Sequence, residues 1–242
     1  MEFKVDPNPD VYPRFIGKQI IPGFEDLCIA KQRTDSEQEN VGWEGVFLNI
    51  QRGHEEPAPR PGQLEATAFI QANSPKIKQA LSSYIKSAVY PVYKEYLEPY
   101  DDHDAQLIKV FESLNASSLH KVISLSEIQV MISQREGFHY TAFHCDFVLD
   151  DHGLILFLHK DRVFNFCGYG DFGDQVDLDM LNIGRGENPS LTFEIQDLDG
   201  VTQLKGQSTF SQGLPTHTLP RGRYVRIISN GDFQLKTGLI LG

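Results

Sequence analysis

The chain has 242 residues, 40% of them hydrophobic, with a formal net charge of −11 and a pI near 5.1. That length buries a sizeable core, in one large domain or in a domain with a small companion module, and the acidic balance disfavours nucleic acid and anionic membrane as partners and favours a basic one. Three cysteines without a short-spaced pair (Cys28, Cys145 and Cys167) speak against a disulfide framework or a structural zinc site, and the absence of a signal-peptide pattern or a membrane-length apolar run predicts a cytoplasmic protein.

Residues 1–17, with Pro7, Pro9 and Pro13, read as an irregular lead-in. Ile20, Ile21, Phe24, Leu27 and Ile29 predict one or two strands over residues 18–30, interrupted at Pro22-Gly23, and residues 31–40 read as a solvated loop. A short strand, apolar on both sides, is expected over residues 43–50. Residues 64–71 fit either a strand or the approach to a helix. Asn73-Ser74-Pro75 then places a capping residue before a proline at the first helical position. Ile77, Ala80, Leu81, Tyr84, Ile85 and Ala88 follow at helical spacing, until Pro91 kinks or ends the segment. The tyrosines at 84, 90, 93, 96 and 100 suit packing of a helix on a sheet or an interface. Asp101, Asp102 and Asp104 mark the start of a second helix over residues 101–115, where the helix dipole favours negative charge.

The organising stretch is residues 138–170. Thr141, Phe143, Cys145, Phe147 and Leu149 alternate with Tyr140, Ala142, His144, Asp146 and Val148, which predicts a strand with one apolar and one mixed face. Asp150-Asp151-His152-Gly153 reads as the tight turn of a hairpin, with Gly153 supplying a positive φ. The apolar run from Leu154 to Leu158 then returns as a central strand, and a further strand follows over residues 163–167. Beyond residue 180 no helical period remains. Asp199-Gly200 and Asn230-Gly231 predict two hairpins. The expected architecture is therefore α+β: an antiparallel sheet with one or two packed helices over residues 1–178, followed by a small all-β antiparallel module over residues 185–242. Most of the charge belongs to the first part: residues 1–173 hold 25 acids and 16 bases, a net of −9.

Catalytic signatures are missing from the sequence. There is no nucleophile elbow, Cys145 sits mid-strand among apolar residues, and the glycines at 168–173 match no phosphate-binding motif. Arg221, Arg223 and Arg226 form the one local basic cluster and suit a solvated strand edge. His144, Asp146 and His152, with Asp150 and His159 nearby, could build a two-histidine, one-carboxylate metal site if the strands converge, although turn-capping and solvent-facing roles explain the same residues.

The run from Phe147 to Val163 (FVLDDHGLILFLHKDRV), followed by Gly168, resembles the core signature of an uncharacterised bacterial domain family. In that family an acidic-His-Gly-Leu turn, here Asp150-Asp151-His152-Gly153-Leu154, joins two strands. The similarity covers roughly residues 40–173. Phe147 stands where the family carries tryptophan, and Ile155 where it carries glycine. The resemblance implies no catalytic residue; its analogy is to immunity or accessory proteins of bacterial toxin systems.

The expected function is a non-enzymatic bacterial binding protein, an immunity protein that occludes the active site of a basic toxin or effector domain. No cofactor, metal, nucleic acid or membrane is expected. Asp35, Glu37, Glu39, Asp150 and Asp151 would steer the partner, with His152 beside them, and Trp43 or Tyr140 would anchor it. The alternatives are a metal-binding protein or metal-dependent enzyme using the His/Asp hairpin, and a structural or accessory subunit of a larger assembly.

Overall fold

The computed structural model describes residues 4–5, 14–19, 21–28, 46–51, 56–168, 175–183, 187, 189–209 and 218–241. The contacts divide the chain into two compact units, Met1–Phe172 and Gly173–Gly242.

The first unit is built on a mixed sheet. Among the described residues its strands are β1 (Lys4–Val5), β2 (Arg14–Gln19), β3 (Val46–Gln51), β4 (Ile123–Arg135), β5 (Phe138–Phe147), β6 (Asp150–His159) and β7 (Arg162–Cys167), in that spatial order. Every pairing is antiparallel except β3 with β4. A parallel pair needs a long crossover, and here residues 61–121 supply it as helices.

The expected lead-in contains β1 and β2, whereas residues 21–28 turn instead of forming a strand: Phe24, Leu27 and Cys28 donate their N–H groups to carbonyls three residues back. Leu27 O then accepts from Leu125 N at 2.9 Å, so this turn closes onto β4.

Residues 64–71 are helical, within α1 (Pro61–Ala72). The helix buries Gln63, Ala66, Thr67 and Ile70, a three-and-four stripe that alternation counting misses because two of its members are polar. Gln63 is satisfied in the core. Its Oε1 accepts from Arg60 N at 3.0 Å, and its Nε2 donates to Gln51 O at 2.8 Å and Met131 O at 3.4 Å. One side chain thus ties the start of α1 to β3 and β4.

α2 (Ser74–Tyr84) follows at once. Asn73 precedes its proline as expected, but Asn73 Nδ2 donates back to Phe69 O at 3.0 Å, closing α1 instead of capping α2. The helix then widens to a π turn over Ile85–Val89, where Tyr90 N reaches Ile85 O, before α3 (Tyr90–Tyr93) and a final 3₁₀ turn at Lys94–Tyr96. The wide turn lets the chain pass Pro91, which has no N–H to give and would clash with the carbonyl one turn back. The buried line continues through Ile77, Leu81, Ile85 and Val89. α4 (Asp102–Glu112) starts as its acids predict, with Asp101 Oδ1 accepting from His103 N and Asp104 N at 2.9 and 3.1 Å.

The helices pack on one sheet face, where Leu48, Ile50, Ile128, Val130, Phe143, Leu156 and Leu158 meet Ala66, Ile70, Ile77, Leu81, Ile85, Val89 and Phe111 in one core. Tyr90 stacks on Phe111 with ring centroids 4.6 Å apart, and Phe111 meets Phe147 edge-on. The opposite face is buried as well: Tyr140, Ala142, Ile155 and Phe157 are essentially inaccessible.

Among its described residues the second unit carries a four-stranded antiparallel sheet, β11-β10-β8-β9, from β8 (Ser190–Gln196), β9 (Thr202–Thr209), β10 (Gly222–Asn230) and β11 (Phe233–Leu241). Both expected hairpins form, with Gly200 at φ 80° and Gly231 at φ 57°. β10 is internal, so the arginines at 223 and 226 do not guard an edge; Arg226 Nη2 lies 3.7 Å from Asp177 Oδ2. A short helix, α5 (Gln175–Met180), belongs to this unit. Leu178, Met180, Leu181 and Ile183 pack with Leu191, Phe193, Ile195 and Ile228, which puts the division at Phe172/Gly173, ahead of the linker expected after residue 178.

Candidate functional site

The hairpin turn lies upstream of its expected place. Val148 and Leu149 form it, Phe147 pairs with Asp150, and the next pairing joins Cys145 to Leu154. Between those two pairs β6 sets Asp151, His152 and Gly153 against Asp146 alone on β5, so two residues are extra and β6 bulges there. Neither Val148 nor Leu149 adopts a positive φ, so the tip is not one of the primed turns that match strand twist; Gly153, at φ 81°, lets the bulge restore the register. The expected turn-backbone role of Asp150 holds within this bulge: its Oδ1 accepts from His152 N at 2.9 Å.

The bulge is anchored by the helical layer. Tyr93 Oη donates to Asp150 Oδ2 at 3.0 Å, and the Tyr93 ring stands edge-on to Phe147 at 5.3 Å. His152 Nδ1 lies 2.8 Å from Asp151 Oδ1 and 3.3 Å from Asp150 Oδ1. His152 and Asp151 are almost fully exposed, whereas the Asp150 side chain is 23% exposed.

Beside the bulge opens a groove of about 390 Å³ between the end of the helical crossover and the hairpin tip. Leu97, Leu107, Val148 and Leu149 give it an apolar lining, Tyr93 and Tyr96 give aromatic walls, and Asp104, Asp150 and His103 bring the polar groups. The surroundings are strongly acidic: between Tyr93 and Asp104 the chain carries Glu95, Glu98, Asp101, Asp102 and Asp104 against Lys94 alone. Large apolar side chains are exposed at this end, with Tyr96 at 75%, Tyr100 at 101%, Val148 at 47% and Val92 at 45%. Part of the acidity is structural. Asp101 caps α4, and Asp104 Oδ2 accepts from Glu98 N at 2.8 Å. Glu95 and Asp102 are exposed and have no polar partner among the described residues.

The sequence expectations for the site are partly redrawn. Asp150, Asp151 and His152 lie together at the tip. Asp35, Glu37, Glu39 and Trp43 lie outside the described residues. Tyr140 is not a surface anchor: it is 0% exposed and packs against His159 and Phe164.

The ligand trio His144, Asp146 and His152 does not assemble. His144 faces β4 on the sheet surface away from the helices, with Nε2 3.2 Å from Gln129 Oε1. Beside it Asn49 Nδ2 donates to Glu127 Oε1 at 2.9 Å. Burial pushes the His144 pKa down, against the opposing charge of Glu127. His159 Nε2 donates to Arg135 O at 3.0 Å and His139 Nδ1 to Met131 O at 2.9 Å, so both imidazoles serve the irregular end of the β4–β5 pairing. Among the described residues, the one His/Cys/Asp/Glu group with ligand atoms mutually within 4.8 Å is Asp150, Asp151 and His152.

The groove itself escaped sequence reasoning, because residues 93–107 and 148–150 meet only in three dimensions. One signal was present: Tyr96 and Tyr100 fall past the end of the stripe that includes Ile77, Leu81 and Ile85, where a tyrosine has no core to enter.

Comparison of the chain with protein-family models, with curated proteins and with solved structures finds no match in any of the three.

Proposed function

We propose that this chain is a non-enzymatic binding protein that captures a basic protein partner at the acidic, tyrosine-bearing end of its larger unit. Covering the active site of a bacterial toxin or effector, as an immunity protein does, is the form of capture this surface suits. The observation carrying the reading is the coincidence of exposed Tyr96, Tyr100 and Val148 with a belt of carboxylates around one groove. Exposed aromatic side chains supply contact area at low entropic cost, and a single-sign rim steers an oppositely charged partner into register. The net charge of −9 over residues 1–173 gives the long-range part of that attraction.

The division of labour has kinetic consequences. The outer carboxylates Asp102 and Asp151 set the association rate and its salt dependence, whereas the aromatic anchors set the dissociation rate. Capture of a basic protein from host extract by the full chain tests the reading. Retention should weaken as salt rises, Asp102→Lys with Asp151→Lys should slow association at least about tenfold, and Tyr96→Ala with Tyr100→Ala should shorten the complex lifetime. All four positions are exposed, so these variants leave the core intact. Salt-independent capture, unchanged by both pairs, would move the interface elsewhere and end this reading.

A further inference from the structure

Resting on that reading of the same surface, we propose that the groove is the receptor for one arginine side chain presented by the partner protein. The walls are of two kinds, and each matches one part of that residue. Leu97, Leu107 and Leu149 offer apolar surface for the three-methylene stem, while Asp104 and Asp150 bring carboxylates and Tyr96 an exposed ring. A long basic side chain is the common protein group that is apolar along its length and cationic at its end.

The carboxylates keep acceptor capacity. Asp150 takes one hydrogen bond on each oxygen, from His152 N and Tyr93 Oη, with His152 Nδ1 a further 3.3 Å neighbour of Oδ1, and Asp104 takes one on Oδ2 from Glu98 N. An ionised carboxylate has about four lone-pair sites, so sites remain on both residues. These bonds also hold the two groups in place before any ligand arrives, which lowers the ordering cost of binding.

A helix N-terminus alone would repel a cation, since it carries roughly half a positive charge. Here Asp101, Asp102 and Asp104 outweigh it. Guanidinium is favoured over ammonium because it is planar, stacks on an aromatic ring, is weakly hydrated and presents forked donors to carboxylates. The occupant is an arginine within a chain and not the free amino acid, because the α-carboxylate of free arginine would face the surrounding acids.

The test is an NMR titration of the full chain with N-acetyl-arginine-N-methylamide, its citrulline analogue of near-identical shape, the corresponding lysine probe, and free arginine. The expected result is saturable shifts centred on Tyr96, His103 and Leu149, with citrulline binding at least about tenfold weaker. The lysine probe and free arginine should also bind more weakly. Asp104→Asn, which preserves shape and the bond to Glu98, and Tyr96→Ala, at an exposed position, should each weaken the arginine probe by about threefold or more.

Absence of saturable shifts, or citrulline binding as well as arginine, overturns the proposal. Equal binding of the lysine probe overturns the guanidinium assignment, and equal binding of free arginine overturns the peptide source. Probe binding without capture of any basic protein would sink the proposed function and leave the arginine receptor standing. Capture without probe binding would do the reverse.

Discussion

Tyr93 donates its phenolic hydrogen to Asp150 Oδ2 across 3.0 Å, joining the end of the helical crossover to the bulge of β6, 57 residues further along the chain. This contact fixes one wall of the groove and holds the bulge that displaces the hairpin turn. Tyr93→Phe removes the bond while keeping the ring against Phe147, so it should cost about 1 kcal/mol. Asp150→Ala also removes the acceptor for His152 N and should cost about 2 kcal/mol. Denaturant midpoints give both values. Amide exchange at His152 and Gly153 should quicken in both variants while exchange in β4 does not. Equal quickening throughout the sheet would show that the contact supports the whole fold and not the tip.

Two glycines separate backbone strain from crowding. Gly23 and Gly137 both adopt positive φ, 85° and 76°. A Cβ on Gly137 would meet open space, but one on Gly23 would sit 2.0 Å from Ser74 Oγ and 2.7 Å from Ser74 Cβ, at the buried start of α2. Gly137→Ala should therefore cost about 1 kcal/mol, the conformational penalty alone. Gly23→Ala should add about 1–3 kcal/mol from overpacking. Thermal or urea unfolding of the two variants checks the difference, and similar losses would mean that the turn at residues 21–28 can retreat from α2 without cost.

How much of this was legible in the sequence follows from the range of each interaction. The start of α4 was readable because Asp101 caps groups two and three residues away. Both hairpins of the second unit were readable from local features too: in the first, Asp197 Oδ1 accepts from Asp199 N and Val201 N within one turn, and in the second Gly231 supplies the positive φ. The hairpin at Asp150 was misplaced by a few residues because its geometry is decided from outside. Val148 and Leu149 are poor turn formers by composition, and Tyr93 holds Asp150 in place from the helical layer. α1 was ambiguous because its buried stripe includes Gln63 and Thr67, whose polar groups are paid for by bonds to β3, β4 and the helix itself. The groove was invisible, as any site is when it is assembled from two segments that meet only on folding.

Thiol chemistry provides a measure of local opening. Cys28, Cys145 and Cys167 are all buried. Burial, reinforced by Glu25 and Asp26, pushes the Cys28 thiol up to about 11, and burial pushes Cys145 up further. A thiol reagent at neutral pH should thus label the native chain orders of magnitude more slowly than the unfolded chain, since the thiolate is the reactive form. Cys28, at 9% exposure on the turn that closes onto β4, should react first, and Cys145, at 0%, far later. Mass-resolved labelling reads the order directly. Rapid labelling of Cys145 would contradict the packing of β5 between β4 and β6.

Acid should weaken the larger unit through two desolvated imidazoles, buried His139 and half-buried His144. Burial lowers the pKa of His139 below its ordinary 6.5, outweighing the carbonyl of Met131, and burial lowers that of His144 against the pull of Glu127. For a base whose folded pKa is depressed, the unfolded chain binds the proton more readily. The stabilising contribution is therefore complete above about pH 6.5 and is lost as pH falls from there towards the lowered native values. His139 Nδ1 donates to Met131 O, and a Cβ on Gly62 would lie 3.1 Å from its ring, so there is little room for a newly charged imidazole to rehydrate. His139→Asn places an amide where Nδ1 stood and cannot titrate. It should lower stability at about pH 7.5, through lost packing, yet flatten the decline between about pH 7.5 and about pH 5.5. Urea midpoints across that interval decide the matter: an unchanged slope in the variant would clear His139 and leave the acid sensitivity to His144 and the carboxylates, and a slope that vanishes would leave His144 no part in it.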